Sequence, residues 1–397
     1  MTGKFRSITL LLIAEVAAMS LWFVSAAILP GMLSEVAMPP IRQAALSSAV
    51  QLGFVAGAVT SAVLGLADRF DPRRVFFLSA LAAAAANLAL VRMVPGSDLS
   101  ILMRFLTGTF LAGVYPLGMK IAVGWGEKDR GFLVGAVVGA LTLGTALPHL
   151  FALAGGTEWR WTVTAASVAA GLGGLLILLT GLGPFHARAP RFDPTVIRLA
   201  WTNRRVRYAY GGYLGHMWEL FAMWAWVGIA TTASYSMRMP ADQAARFGTI
   251  TAFLTIGVGA ITSILAGRVA DRIGKAEVAA LAMLASGACA ILTGLSFGGP
   301  VWLIFALVMI WGMAVIPDSA QFSALVADAV PADQAGSLMT LQTALGFLLT
   351  FVTVQILPGM AAALGWPLVL ASLALGPVFG IWCMLRHRAE DHSRDRV

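Results

Sequence analysis

The chain is short of charge and of cysteine. Asp, Glu, Lys and Arg make up 12% of its 397 residues, against roughly 25% in an average soluble domain. So few charges cannot cover a water-facing surface of this size. The two cysteines, Cys289 and Cys383, both sit in apolar runs, which excludes a disulfide framework and a CxxC metal clip. No GxxxxGK[ST] pattern occurs, so nothing points to ATP as an energy source. No nucleophile–base or metalloprotease motif stands out either, and neither enzyme activity, a cofactor nor a bound metal is expected. The formal charge of +8 comes from basic residues scattered over short segments. That pattern argues against a nucleic-acid partner, which calls for a basic face on a folded domain.

What the chain has in abundance is apolar length: 59% of it is hydrophobic. A helix needs about 20 apolar residues to cross the roughly 30 Å hydrocarbon core of a bilayer. Twelve runs qualify, over 7–33, 43–66, 74–94, 99–124, 131–154, 160–183, 208–235, 243–266, 276–297, 300–326, 335–357 and 364–385. Runs this long exclude the short alternating strands of a β-barrel, so the expected class is an all-α membrane protein. The first run is too long for the apolar core of a signal peptide and is read as a retained span.

With the amino terminus inside, most of the 27 basic residues fall on one side of the membrane. Only Arg42, Arg92, Arg160, Arg238 and Arg246 fall on the other, while Arg104 and Lys120 lie within a span. The positive-inside rule then puts both termini in the cytoplasm. The one long polar break, 184–207, divides the chain into a first bundle (1–183) and a second bundle with a short tail (208–397). These halves echo each other. EVAAMSLW from Glu15 and ELFAMWAW from Glu219 share the acid, Ala18/Ala222, Met19/Met223 and Trp22/Trp226, which lie at i, i+3, i+4 and i+7 on one helical face. ADR recurs at Asp68 and Asp271, and VYP at Pro116 is echoed by VIP at Pro317. Since each half has an even number of spans, the two enter the membrane in the same direction, as parallel repeats.

Twelve spans, a basic central link and an ADR segment after the second helix of each half resemble the major facilitator superfamily. The residues that carry the resemblance are GLADRFDPRR (Gly65–Arg74), GRVADRIGK (Gly267–Lys275) and RFLTG (Arg104–Gly108). The first segment departs from the family pattern, with Leu64 where the leading glycine is usual and Asp71-Pro72 in place of the second glycine. The resemblance covers essentially the whole chain. It implies two six-helix halves rocking about a central cavity, with helices 1 and 7 lining that cavity from opposite sides. It also implies gating roles for Asp68, Arg69, Asp271 and Arg272, and associates the position of Arg104 with proton coupling. A plainer role for Arg104 is as a buried partner for polar groups. Helix 5 (Gly135–Leu150) has the glycine spacing of the family's antiporter motif without its adjacent Gly-Pro. Close packing of two helices through Gly131, Gly135 and Gly139 explains that spacing equally well. Nitrate porters carry arginines in helices 2 and 8; helix 2 here has Gln51, which argues against nitrate.

Three acids lie deep in the spans: Glu15, Glu219 and Asp318. A charge near the bilayer centre costs about 2.5–3.5 kcal/mol on insertion scales, so it requires a partner, a proton or a wet cavity. Desolvation favours the neutral form of a carboxyl group, the property a proton carrier needs. Alternatively the acids hold a cationic solute, with Trp22 and Trp226 offering π-faces, or they simply bond to neighbouring helices. Pro317 removes a backbone donor and kinks helix 10 beside Asp318, with Gln321 on the same face. Helix 4 supplies Tyr115 and Lys120, and Lys120 either faces Asp318 or snorkels to the interface. His216, Glu219 and Glu15 are too few for a convincing metal site. The aromatic run of helix 7 partly belongs to an interfacial belt. For the gate acids, a place at a helix N-terminus is the expectation, favoured by the dipole.

The expected function is that of a monomeric secondary transporter in the cytoplasmic (inner) membrane. Its partners are a small organic solute, protons and the lipid bilayer, and efflux by antiport is slightly favoured. Proton-coupled uptake of a small metabolite or ion is the alternative. A non-transporting receptor on the same fold would carry a longer signalling loop or tail.

Overall fold

A run of about twenty apolar residues in lipid finds no water for its backbone and must close its hydrogen bonds internally as a helix. The computed structural model describes residues 2–127, 129–156, 158–186 and 194–394, so part of the expected link 184–207 lies outside the described residues. The first half holds helix 1 (Thr2–Met19 and Val24–Glu35), helix 2 (Pro40–Leu64), helix 3 (Pro72–Ala89), helix 4 (Asp98–Leu111 and Tyr115–Val123), helix 5 (Arg130–Gly155) and helix 6 (Trp159–Ile177). The second holds helix 7 (Arg204–Tyr235), helix 8 (Ala241–Ile273), helix 9 (Lys275–Leu295), helix 10 (Val301–Ala314 and Ser319–Asp328), helix 11 (Ala332–Leu364) and helix 12 (Trp366–Ser372 and Leu375–Arg394). Eleven of these are long and apolar enough to cross a membrane on composition. Helix 7 is diluted by Tyr, Trp, Gly and His, yet it runs 32 residues and is buried along most of its length. Protein, rather than lipid, is its main solvent.

The packing repeats as the sequence does. Helix 1 lies on helix 6 as helix 7 lies on helix 12, and helix 2 lies on helix 4 as helix 8 lies on helix 10. The halves meet chiefly through helix 5 on helix 8 and helix 2 on helix 11. At the first of these seams a Cβ on Gly139 would come within 2.9 Å of the Ala260 carbonyl oxygen, and one on Gly135 within 3.2 Å of that of Ser263. A Cβ on the third glycine of the expected set, Gly131, would meet nothing within 4 Å, although the Gly131 carbonyl oxygen lies 3.8 Å from where a Cβ on Gly267 of helix 8 would sit. Leucine at 139 therefore forces the halves apart. Overpacking of this kind typically costs about 1–3 kcal/mol. Gly139→Leu is expected to lower the melting temperature of the detergent-solubilised protein, with Gly131→Leu unchanged as its internal control.

Helix 10 is interrupted around Pro317, as its proline leads one to expect, and helix 4 is also interrupted, just before Tyr115-Pro116. The interruption of helix 1 at residues 20–23 has no proline behind it. Its exposed carbonyls are taken instead by Arg104, which is wholly buried. Arg104 Nη1 and Nη2 each donate to Leu21 O at 3.1 Å, Nη2 to Trp22 O at 2.6 Å, and Nη1 to Asn87 Oδ1 at 2.8 Å. Nε reaches Leu46 O at 3.4 Å. An acceptor left unpaired in this setting costs about 1–3 kcal/mol. Arg104→Met, similar in length but without donors, should destabilise the purified protein by at least one such increment. Arg104→Lys should recover only part of it, because one ammonium cannot reach every acceptor. An unchanged melting temperature in Arg104→Met would refute this bracing role.

The departure at Asp71-Pro72 also has a structural reason. Asp71 caps helix 3, accepting from Arg73 N at 2.9 Å, and its carboxylate pairs with the Arg73 guanidinium at 2.7 Å. That guanidinium holds the Asp71 carboxyl below the usual carboxylate range. Asp71-Pro72 thus begins the helix by capping, where the family pattern uses glycine.

Candidate functional site

Glu15 sits one turn before the interruption of helix 1. It is 0% exposed, and neither carboxylate oxygen has a hydrogen-bond partner among the described residues. Its carboxylate lies where any Cβ on Gly118 of helix 4 would collide with it, and only glycine leaves that space. Tyr115, one turn earlier on helix 4, is close enough to interact with it electrostatically.

Glu219, its repeat mate, is differently placed. Trp311 Nε1 donates to Oε1 at 2.7 Å and Ser286 Oγ to Oε2 at 2.8 Å. The sequence pairs these acids, but their surroundings do not match. The reason is legible at the repeat offsets, though only once the donors are known. Positions 201 and 203 residues earlier than Trp311 and Ser286 are Phe110 and Ala83, neither of which has a donor to offer Glu15.

Asp318 lies at the interruption of helix 10, 2.9 Å from His216 Nδ1 of helix 7, at an angle too oblique for a good hydrogen bond. It turns to a residue of its own half. The Tyr213 ring stands 6.1 Å from the imidazole, and Tyr213 is near Tyr115 of the other half. Glu15, Tyr115, Tyr213, His216 and Asp318 therefore form one line across the interface between the halves. His216 and Tyr213 were not singled out by sequence for this role, and the signal was available: Leu12 and Leu117 stand at the first-half equivalents of His216 and Asp318.

The tryptophans of the repeated face do not flank the acids as a pair. Trp22 is packed against Phe54 (ring centroids 5.0 Å), Phe347 (5.4 Å) and Phe221 (5.6 Å). Trp226 donates Nε1 to Val354 O at 3.2 Å. These aromatic rings come from both halves and lie beyond Glu15, toward the face opposite the chain ends. Further along, Gln355 of helix 11 accepts from Ser48 Oγ at 2.5 Å and donates to Ile41 O at 2.9 Å. These contacts join the two halves on that far side. Toward the chain ends, Tyr115 and Lys120 are partly exposed and Pro116 is exposed, and the second segments of helices 4 and 10 pack mainly within their own halves.

Gln321 is buried, with Nε2 3.5 Å from Pro317 O. Arg104 serves helix 1 as described and is not brought to the acids. Asp271 and Arg272 are exposed in the last turn of helix 8, which runs two turns past its expected end, so Asp271 is not at a helix N-terminus. Asp271 lines a cavity of about 430 Å³ with Lys275, Glu277 and Asp328. Arg69 is exposed, and the side chain of Asp68 lies outside the described residues. Lys4–Asp129 (2.8 Å) and Lys275–Asp328 (2.5 Å) each stay within one half. Among the described residues, no group of three His, Cys, Asp or Glu is placed to hold a metal.

Comparison with known proteins bears on the fold. No curated protein sequence matches the chain. Among solved structures, a mutant of the nucleoside transporter NupG is similar with a TM-score of 0.72 at 13% identity, covering 96% of this chain and 99% of its own. The xylose transporter XylE from E. coli, in a partially occluded inward-open conformation, is similar with a TM-score of 0.75 at 12% identity, covering 97% and 98%. Identities this low speak for architecture alone. The family profile described as Major Facilitator Superfamily matches residues 10–354, and with that match along most of its length the chain belongs to the Major Facilitator Superfamily.

Proposed function

We propose that the protein is a proton-coupled secondary transporter of a small organic solute. It works as a monomer in the cytoplasmic membrane, with the chain ends and basic loops on the cytoplasmic side. The observation that carries this reading is Glu15: a carboxyl group withdrawn completely from solvent, without a donor among the described residues, packed against Gly118 of helix 4. A lasting charge there is unfavourable, so the group needs a proton or a solute to accompany it. Alternating access then follows from exchanging one for the other. Asp271 and Arg272 act at the cytoplasmic gate. Nucleoside and xylose transporters share the architecture, which supports a small polar organic solute. Export is the favoured direction, since buried acids near aromatic rings suit amphipathic or cationic solutes.

Proteoliposomes with a lumenal pH dye test the reading. The purified protein would be challenged with a quaternary ammonium ion, an organic anion, xylose and a nucleoside. At least one is expected to drive proton movement in wild type, and its sign separates antiport from symport. Glu15→Gln should reduce that movement to the level of empty liposomes. Glu219→Gln, which keeps an acceptor for Trp311 or Ser286, should retain part of it. Proton movement equal to wild type in both variants would remove the acids from the mechanism.

The far-side contacts give a second expectation. Each aromatic pair contributes about 0.5–1.5 kcal/mol beyond its area, and Phe347 makes three of them, with Trp22, Phe54 (4.5 Å) and Phe221 (5.1 Å). Phe347→Ala should shift the population toward a state open on the far side. The measurement is labelling of a cysteine introduced by Ser48→Cys with an impermeant maleimide. Faster labelling in the Phe347→Ala background is expected, and equal rates would mean that the rings are not a gate.

A further inference from the structure

The second half holds a buried acid–base pair that the reading above does not use. His216 is 1% exposed and Asp318 2% exposed. The imidazole is flanked by the rings of Tyr213 at 6.1 Å and Phe322 at 5.8 Å, and its Nε2 has no hydrogen-bond partner among the described residues. Glu219, one turn further along helix 7, is hydrogen-bonded to Trp311 and Ser286 and is also within electrostatic reach of Asp318. Both equivalent positions, Leu12 and Leu117, are apolar in the first half, so the pair has no counterpart there.

We infer that His216 is a second proton-binding site, separate from Glu15, with Asp318 as its positioning residue. The negative charge of a carboxylate 2.9 Å from Nδ1 favours hydrogen on that nitrogen, which leaves the Nε2 lone pair free. Nε2 takes a proton from hydronium, releasing water, and the resulting imidazolium is balanced by Asp318. Because Asp318 sits at the interruption of helix 10, that ion pair ties helix 7 to the point where helix 10 changes course. Binding a proton thus tightens the contact between these two helices.

The ionisable groups around His216 are few. Helix 10 supplies Asp318, helix 7 supplies Glu219 and Tyr213, and helix 4 supplies Tyr115 beside Tyr213. Helix 12 meets helix 7 at this level through Gly376 and Gly380, and helix 11 through Gly346. The ionisable residues of helix 8 all lie near its ends, and Cys289 of helix 9 faces Glu219.

This inference extends the transport reading, yet its test needs no solute. Full-length protein with ring-¹⁵N histidine would be solubilised in detergent and its nitrogen shifts followed across about pH 5–9, the range in which histidine ordinarily titrates. His216→Gln assigns the signal. If that variant does not fold, Gln substitutions at the other four histidines assign it by elimination. The expected result is a His216 ring that is Nδ1-protonated at high pH and gains a proton at Nε2 on acidification. Asp318→Asn should mix the tautomers, an effect that a merely structural aspartate would not produce. A ring that never gains a proton, or one that carries hydrogen on Nε2 at high pH, overturns the site. Loss of coupling in Glu15→Gln with a silent His216 would sink this inference alone. A titrating His216 in a protein that moves no protons would sink the transport reading alone.

Discussion

The grip of Arg104 on the interruption in helix 1 is the interaction on which the asymmetry of the molecule depends. In lipid a broken helix exposes carbonyls that no solvent can satisfy. The first half supplies one guanidinium that reaches Leu21, Trp22 and Leu46 carbonyls together with the Asn87 amide oxygen. Arginine alone offers enough donors in a fixed fork for this. The positions equivalent to Arg104 and Asn87 in the second half are Phe305 and Ala290, and helix 7, the counterpart of helix 1, runs unbroken. Break and brace occur together or not at all.

The consequence reaches the acids. Glu15 and Trp22 would share a face on a straight helix, but the chain changes course between them. Trp22 is carried into a ring cluster with Phe54, Phe221 and Phe347, while Glu15 stays against Gly118 and Tyr115. In the unbroken helix 7, Trp226 remains on its own helix and bonds to helix 11. Donors are dealt out in the opposite sense: Trp311 and Ser286 serve Glu219, where Phe110 and Ala83 leave Glu15 bare. Each half therefore carries polar groups at positions where the other is apolar. One acid is fixed and the other is left open.

Much of this was legible in the sequence, and the rest was lost for identifiable reasons. Span number and parallel repeats followed from apolar length and from Glu15/Glu219, Asp68/Asp271 and Pro116/Pro317, all properties of backbone and patterning. The interruption of helix 10 followed from Pro317, while that of helix 4 beside Pro116 was not expected. The interruption of helix 1 had no such marker, because the side chain that braces it lies 83 and 82 residues away from Leu21 and Trp22, a tertiary contact that local pattern cannot carry. Helix 8 outran its expected end since hydropathy falls at Arg268, whereas hydrogen bonding continues to Ile273. Of three glycines spaced for a seam, Gly135 and Gly139 lie tight against Ser263 and Ala260 while Gly131 has room for a Cβ, and spacing cannot say how close a neighbour will come.

The repeats were most informative where they fail. An identical face on helices 1 and 7 suggested equivalent roles for the two acids, and equivalence is what duplication alone would leave. Under the proposed proton coupling, a carrier that must bind on one side and release on the other gains nothing from two equal sites facing each other, for a proton would rest equally well on either. Unequal surroundings give the proton a preferred place in each arrangement of the halves, and a change of arrangement can then change that preference. Glu219 with two donors, Glu15 with none, and the His216–Asp318 pair at leucine positions of the first half supply such inequality at one seam.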